Sequence, residues 1–246
     1  MNTLAIMQPY FFPYIGYWQL IRAADRFVIL DDVNYINRGW VNRNRILVNG
    51  VPTFVTVPLA HASQNKHICD IGLQPESYWR RKLVRSIETT YRRAPYFEEV
   101  FPLIERLIAY EVDGLAGYLA NQLKALSAFL GIETEWVLSS RCYGNGHLVG
   151  QQRIRDICIA EHASTYVNLP GGQSLYDAMA FQHSGIALRF LKPMAISYRQ
   201  RAAEFVPNLS LIDVLMENGR SGTQELLGAY QLVEGGQSEA LAAAVG

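Results

Sequence analysis

Leu4-Ala5-Ile6-Met7-Gln8-Pro9-Tyr10-Phe11-Phe12-Pro13-Tyr14-Ile15-Gly16-Tyr17-Trp18 decides the fold of this chain. A short apolar run, Thr3 to Met7, reads as a buried strand. It passes into an aromatic loop punctuated by two prolines, and a helix over Tyr14 to Ala24 follows, with Ile15, Trp18, Ile21 and Ala24 on its apolar side. Arg26-Phe27-Val28-Ile29-Leu30 is a second apolar run, ending in Asp31-Asp32. Uninterrupted apolar strands belong to parallel sheets covered on both faces. Strand, helix and strand in this order form a βαβ unit, and ligands of open parallel sheets bind beyond the carboxyl ends of the strands. The expected fold class is α/β: an open, mostly parallel, Rossmann-like sheet with a polar mouth at the strand ends.

The remaining punctuation agrees. Asn49-Gly50, between Arg45–Val48 and Thr53–Pro58, is a hairpin signal, expected to form an antiparallel edge or flap beside the mouth. Three helices are expected near Ser77–Arg93, Phe97–Tyr110 and Asp113–Leu130. Further strands are expected at Thr134–Leu138, Thr165–Leu169 and Ala187–Leu191. A helix over Leu148–His162 and a short final helix over Leu209–Glu217, stopped by Asn218-Gly219, complete the reading. The expected organisation is one α/β domain over 1–233, with a helical insertion at about 76–131 and a loose tail over 234–246.

Composition bounds the function. The 246 residues are 50% hydrophobic and 18% charged, enough for a sizeable core. The 22 basic and 22 acidic residues cancel, so no global field favours nucleic acid. Cys69, Cys142 and Cys158 match neither a disulfide framework nor a zinc spacing, and the histidines show no ligand spacing. No metal is assigned and no cofactor is identified. There is no signal-peptide pattern at the first residues and no apolar run of membrane-spanning length. A cytoplasmic location is therefore expected.

Four groups could carry chemistry. Gln8, Tyr10, Tyr14 and Tyr17 offer an amide and phenols at the end of the first strand, beside Gly16. Asp31 and Asp32 end the second strand and precede Trp40, Asn42 and Arg43. Acids at a strand end can accept a proton from an attacking amine or hydroxyl, and an arginine can neutralise developing charge. Ser140 lies in the glycine-bearing loop Ser139–His147. Asn168, Gly171 and Gly172 form a second glycine turn, expected to lie beside the first if their strands are neighbours. Small residues there let backbone amides approach an anion. The arginines of the 77–93 helix read as a solvated face.

Ile6–Tyr17, Phe27–Tyr35 with Trp40–Asn44, Tyr166-Val167-Asn168 with Gly171-Gly172, Tyr198-Arg199-Gln200, and Phe205–Asp213 together resemble the motifs of WbqC-like proteins. The resemblance spans about residues 4 to 220 and adds Tyr198, Gln200 and Asp213 as candidate substrate-binding residues. It implies a place in bacterial surface-polysaccharide and O-antigen synthesis. The expected activity is transfer of an acyl, aminoacyl or glycosyl-related group on a small anionic or nucleotide-linked substrate, with other assembly enzymes as candidate partners. A remoter likeness exists to class I nucleotidyltransferases: Tyr14-Ile15-Gly16-Tyr17 stands where they carry His-x-Gly-His. That keeps ATP-dependent nucleotidyl or acyl-adenylate chemistry open, although tyrosines replace the histidines that stabilise phosphate charge. A non-catalytic, nucleotide-sugar-binding adaptor is the third reading.

Overall fold

A computed structural model describes residues 2–75 and 78–235. β1 (Thr3–Met7), α1 (Ile15–Ala23) and β2 (Arg26–Ile29) form the opening βαβ unit. β3 (Arg43–Val48) and β4 (Val51–Thr56) make the hairpin, and β5 (Leu59–Ala60) pairs with β6 (Gly72–Leu73). α2 (Tyr78–Tyr91), α3 (Phe97–Ala109) and α4 (Leu115–Phe129) follow before β7 (Glu135–Val137). Then come α5 (Gly150–Ala160), β8 (Thr165–Asn168), α6 (Ala178–Gln182), β9 (Ala187–Pro193), α7 (Leu211–Leu226) and β10 (Tyr230–Glu234).

The main sheet runs β10-β9-β8-β1-β2-β7, parallel except for the β9–β10 pair. In chain order this is the Rossmann arrangement 3-2-1-4-5 with a sixth, antiparallel strand. The order reverses between β1 and β8, and the crevice at such a reversal is where ligands enter this architecture.

Side-chain alternation shows that both faces are covered. Leu4, Ile6, Val28 and Tyr166 pack with Ile154, Ile157 and Phe181 of α5 and α6. Ala5, Phe27, Ile29 and Val167 point the other way, into the larger core formed with α1, α7 and the helices α2–α4. A period of two along each strand delivers alternate residues to opposite cores.

Several expectations need correction. The hairpin is a separate two-stranded sheet and not an edge of the main one. β7 and β8 are not neighbours, since β2 and β1 lie between them, so the two glycine turns do not sit side by side. The final helix does not stop at Asn218-Gly219. Gly219 adopts φ 63°, and the helical course resumes to Leu226. A Cβ at Gly219 would lie 2.5 Å from the Tyr96 ring, so only glycine fits there. Strand β10 was not expected at all, and it places Glu234 in the sheet rather than in a tail. From residue 236 onward that tail lies outside the described residues, as does the expected helix start at Ser77.

Candidate functional site

The opening loop is held from three sides. The Tyr17 hydroxyl donates to the Gln8 carbonyl at 2.8 Å, and the Trp18 indole donates to that of Pro13 at 2.9 Å. Asn44, from β3, donates its amide to the carbonyls of Phe11 and Phe12 at 3.1 and 2.8 Å. Gln122 of α4 accepts from the Phe12 amide. Ser210 caps α7 and donates to Phe12 O at 2.8 Å, while the Leu211 amide reaches Pro13 O at 3.1 Å. Phe12 has φ 40°, a costly conformation for a side chain of this size that persists because these partners over-determine it. The entrance to α1 and the start of α7, 198 residues apart in sequence at Phe12 and Ser210, therefore meet here.

A cavity of about 270 Å³ opens there. Tyr14, Gly16 and Gln19 of the α1 entrance form one wall, the carboxyl end of β9 at Pro193 another, and Tyr198 and Phe205 a third. A Cβ at Gly16 would stand 2.6 Å from the Tyr14 ring, so this glycine lets the ring lie against the first turn of α1. Burial pushes the Tyr14 phenol up to about 12, with the neighbouring Tyr10 adding to it. Gln19 is fully buried. Its Nε2 donates to the carbonyls of Leu226 and Ala229, both at 3.1 Å, which fixes the amide's orientation. Its Oε1 has no partner among the described residues. A buried acceptor left unpaired costs about 1–3 kcal/mol.

Behind the Tyr198 wall lies a buried carboxylate. Tyr198 donates to Asp213 Oδ2 at 2.8 Å, and Tyr91, the last residue of α2, donates to Oδ1 at 2.7 Å. Burial pushes the Asp213 carboxyl up from its ordinary value, against the lowering effect of the two phenols. Gln200 donates to the Val206 carbonyl and accepts from the Val206 amide, closing the loop that carries Phe205.

Gln8, Asp31 and Asn168 stand at or just beyond the carboxyl ends of three adjacent strands, β1, β2 and β8. Asp31 accepts on Oδ1 from the Ser139 hydroxyl at 2.8 Å and the Ser140 amide at 3.1 Å. Burial pushes its carboxyl up despite these bonds. Asp32 is also pushed up by burial, but hydrogen bonds from Ser140 and Arg153, together with the Arg153 charge, outweigh that and hold it below its ordinary value. Arg153 further reaches Asp32 O at 3.2 Å and Asn145 Oδ1 at 3.1 Å.

Arg43, expected beside the acids, instead donates to the carbonyls of Gly39 and Arg38 and lies 4.3 Å over the Phe54 ring. Asn42 is buried between Tyr35 OH and Val57 O. Trp40 is exposed and packs on Phe54. Asn168 caps its own turn, accepting from the Leu169 amide at 2.7 Å and donating to Tyr176 OH at 3.1 Å. A Cβ on Gly172 would lie 2.9 Å from Asn168 Nδ2, so that glycine serves the close approach; Gly171 shares the same turn. Tyr10 packs on Tyr17 with ring centroids 5.4 Å apart.

Sequence reasoning missed Gln19, Tyr91 and Arg153. Only Arg153 left a signal: it falls four residues before Ile157 in the apolar stripe of α5, where an arginine needs a buried partner. A larger cavity of about 580 Å³ lies elsewhere, between α2 and α3, lined by Arg80, Arg81, Arg85 and Arg92 with Glu88 and Glu105. It contains none of the expected site residues.

These features define an α/β protein of Rossmann strand order with a small-molecule-sized cavity at the first helix. The chain belongs to the WbqC-like protein family, whose profile matches residues 8–225. It is 28% identical over 223 residues to the uncharacterized protein Rv1507c of Mycobacterium tuberculosis (strain ATCC 25618 / H37Rv), covering 89% of this chain and 95% of that relative. No solved structure matches it. No helix among the described residues is long and apolar enough to cross a membrane.

Proposed function

We propose that this protein is a group-transfer enzyme of bacterial surface-polysaccharide assembly, acting on a nucleotide-linked sugar. The observation that supports the reading is the cavity at the α1 entrance, beyond the carboxyl end of β9, walled by residues from early and late in the family match. Tyr14, on the cavity wall, orients the substrate. Tyr198 lines the cavity and hydrogen-bonds Asp213, so a proton leaving an attacking amine or hydroxyl can pass through the phenol to the carboxylate. Asp31 and Asp32 are outside the cavity lining and hold the Ser139–Ser140 turn and Arg153 at the end of β2.

The test is a thermal-shift titration with UDP-, GDP- and dTDP-linked sugars, followed by mass spectrometry of candidate transfer products. Asp213→Asn should keep binding and lose turnover. If no nucleotide sugar raises Tm, or if Asp213→Asn retains full turnover, the assignment is wrong.

A second reading is ATP-dependent adenylate formation. The 3-2-1-4-5 strand order favours it, although Tyr14 and Tyr17 stand where that chemistry uses histidines. Pyrophosphate release from ATP with a panel of amino acids and carboxylic acids separates the two readings. Release together with an ATP-induced Tm shift would favour the adenylate chemistry.

A further inference from the structure

The chain immediately after β2 carries a feature that the sequence spacing hid. Residues 66–69 return alongside the strand's exit: Tyr35 N donates to Lys66 O at 2.9 Å, Ile68 N to Val33 O at 3.0 Å, and Cys69 N to Asp31 O at 2.9 Å. A short 3-10 turn over Ile68–Asp70 follows, with Ile68 fully buried as its anchor. This geometry turns His67, Cys69 and Asp70 toward one another. Among the described residues they are the only group of three potential metal ligands whose donor atoms all lie within 4.8 Å of each other.

Asp70 is the bridge of the group. Its Oδ2 is 3.9 Å from His67 Nδ1, and its Oδ1 is 3.8 Å from Cys69 Sγ. Tetrahedral zinc with bonds of about 2.0–2.3 Å sets neighbouring donor atoms roughly 3.3–3.5 Å apart. With one donor atom per residue, the three start within 4.8 Å of one another, so reaching that spacing takes a closure of up to about 1.4 Å at any pair, within reach of side-chain rotation on a backbone already fixed. Imidazole nitrogen, thiolate and carboxylate together suit a borderline-soft ion better than magnesium or calcium. Three protein ligands leave a fourth position for water or a substrate atom, the pattern of sites that act chemically rather than structurally.

We propose that His67, Cys69 and Asp70 form a zinc-binding site at the carboxyl end of β2, next to Asp31 and Asp32. Binding converts the Cys69 thiol to a thiolate and releases its proton to solvent. One cation already borders the cluster: Arg141 NH1 lies 3.8 Å from Asp70 Oδ1, in an exposed and loose pairing that the metal displaces. The site stands apart from the α1 cavity and does not depend on the substrate assigned there.

The test is a titration of the purified, chelator-treated protein with Co²⁺, followed by competition with Zn²⁺. The expected result is a 1:1 complex with visible d–d bands and a near-ultraviolet thiolate-to-cobalt band, both abolished by Zn²⁺. Cys69→Ser should remove the thiolate band, and His67→Ala should weaken affinity at least tenfold. Cys142→Ser should leave the spectrum unchanged, and Arg141→Gln should hold or tighten binding. Circular dichroism of each variant checks that the fold is intact. A spectrum without thiolate bands, or one that survives in Cys69→Ser, would overturn the site. Neither readout uses turnover, so failure here leaves the proposed activity standing, and failure of that activity leaves the metal site standing.

Discussion

Replacing Tyr91 by phenylalanine removes one oxygen and disconnects three elements. The Tyr91 hydroxyl donates to Asp213 Oδ1 at 2.7 Å and accepts from the Leu47 amide at 3.3 Å. Leu47 faces Pro52 in the hairpin, and proline has no N–H of its own to contribute to the ladder. Tyr91, Leu47 and Asp213 are all nearly fully buried, so water does not easily replace the lost oxygen. A hydrogen bond to a charged group contributes about 1.5–3 kcal/mol, and an orphaned buried donor costs about 1–3 kcal/mol. These effects share one atom and do not add fully, so the expected loss is about 2–4 kcal/mol. With a urea m-value of about 3 kcal/mol/M for a chain of this size, the unfolding midpoint should fall by about 1 M. Tyr198→Phe makes the sharper comparison. It removes a single bond to the same carboxylate from a residue that is only half buried, and it should cost about half as much. Equilibrium urea unfolding of both variants gives the contrast. A Tyr91→Phe midpoint within 0.2 M (about 0.6 kcal/mol) of wild type would refute the claim that this phenol ties α2, the hairpin and α7 together.

Three further outcomes follow from the site. Arg153→Ala leaves the largely buried Asp32 carboxylate without its guanidinium and should cost about 3 kcal/mol in urea unfolding; a loss under about 0.5 kcal/mol would mean that the pair is effectively solvated. Gly16→Ala drives the Tyr14 ring from its seat and should destabilise by about 1–3 kcal/mol while abolishing any ligand-induced Tm shift; an unchanged shift would separate the ring from binding. Asp213 has a raised folded-state pKa, so the native state holds that proton more tightly than the unfolded chain does. Its contribution to stability therefore falls as pH rises from about 4, the unfolded aspartate value, through the folded value. Wild type should lose ground to Asp213→Asn over that window in urea unfolding, and a gap that moves the other way would contradict the assigned shift.

The sheet was legible where strands are buried on both faces. Leu4–Met7 and Phe27–Ile29 are short continuous apolar runs, which suit a covered parallel strand. The hairpin was legible because Asn49 and Gly50 both adopt positive φ, as a tight turn requires. β10 was hidden because an edge strand is half exposed and its sequence, Tyr-Gln-Leu-Val-Glu, carries little apolar signal. The second half of α7 was hidden because Gly219 reads as a stop. The tertiary partner Tyr96 and the Thr223 bond to the Gly219 carbonyl at 2.6 Å make it a kink instead.

The site divides in the same way. Gln8, Asp31 and Asn168 could be assigned to strand ends because the strands themselves were readable. Tyr14 was read from the aromatic loop after the first strand, whereas Tyr198 and Asp213 came from motif resemblance; the cavity wall brings Tyr14 and Tyr198 together. Gln19 and Tyr91 could not be found in sequence, since their partners lie up to 210 and 122 residues away. His67, Cys69 and Asp70 match no ligand spacing in the sequence; the local 3-10 turn over Ile68–Asp70 gathers them, and the backbone's return beside β2 sets that turn next to Asp31.

Hydrogen–deuterium exchange with and without saturating nucleotide sugar probes the binding face directly. Slowed exchange over residues 8–19 and 193–214, flanking the α1 entrance, is the predicted pattern. Slowing confined to the arginine-lined face of α2 and α3, with 8–19 unaffected, would contradict it.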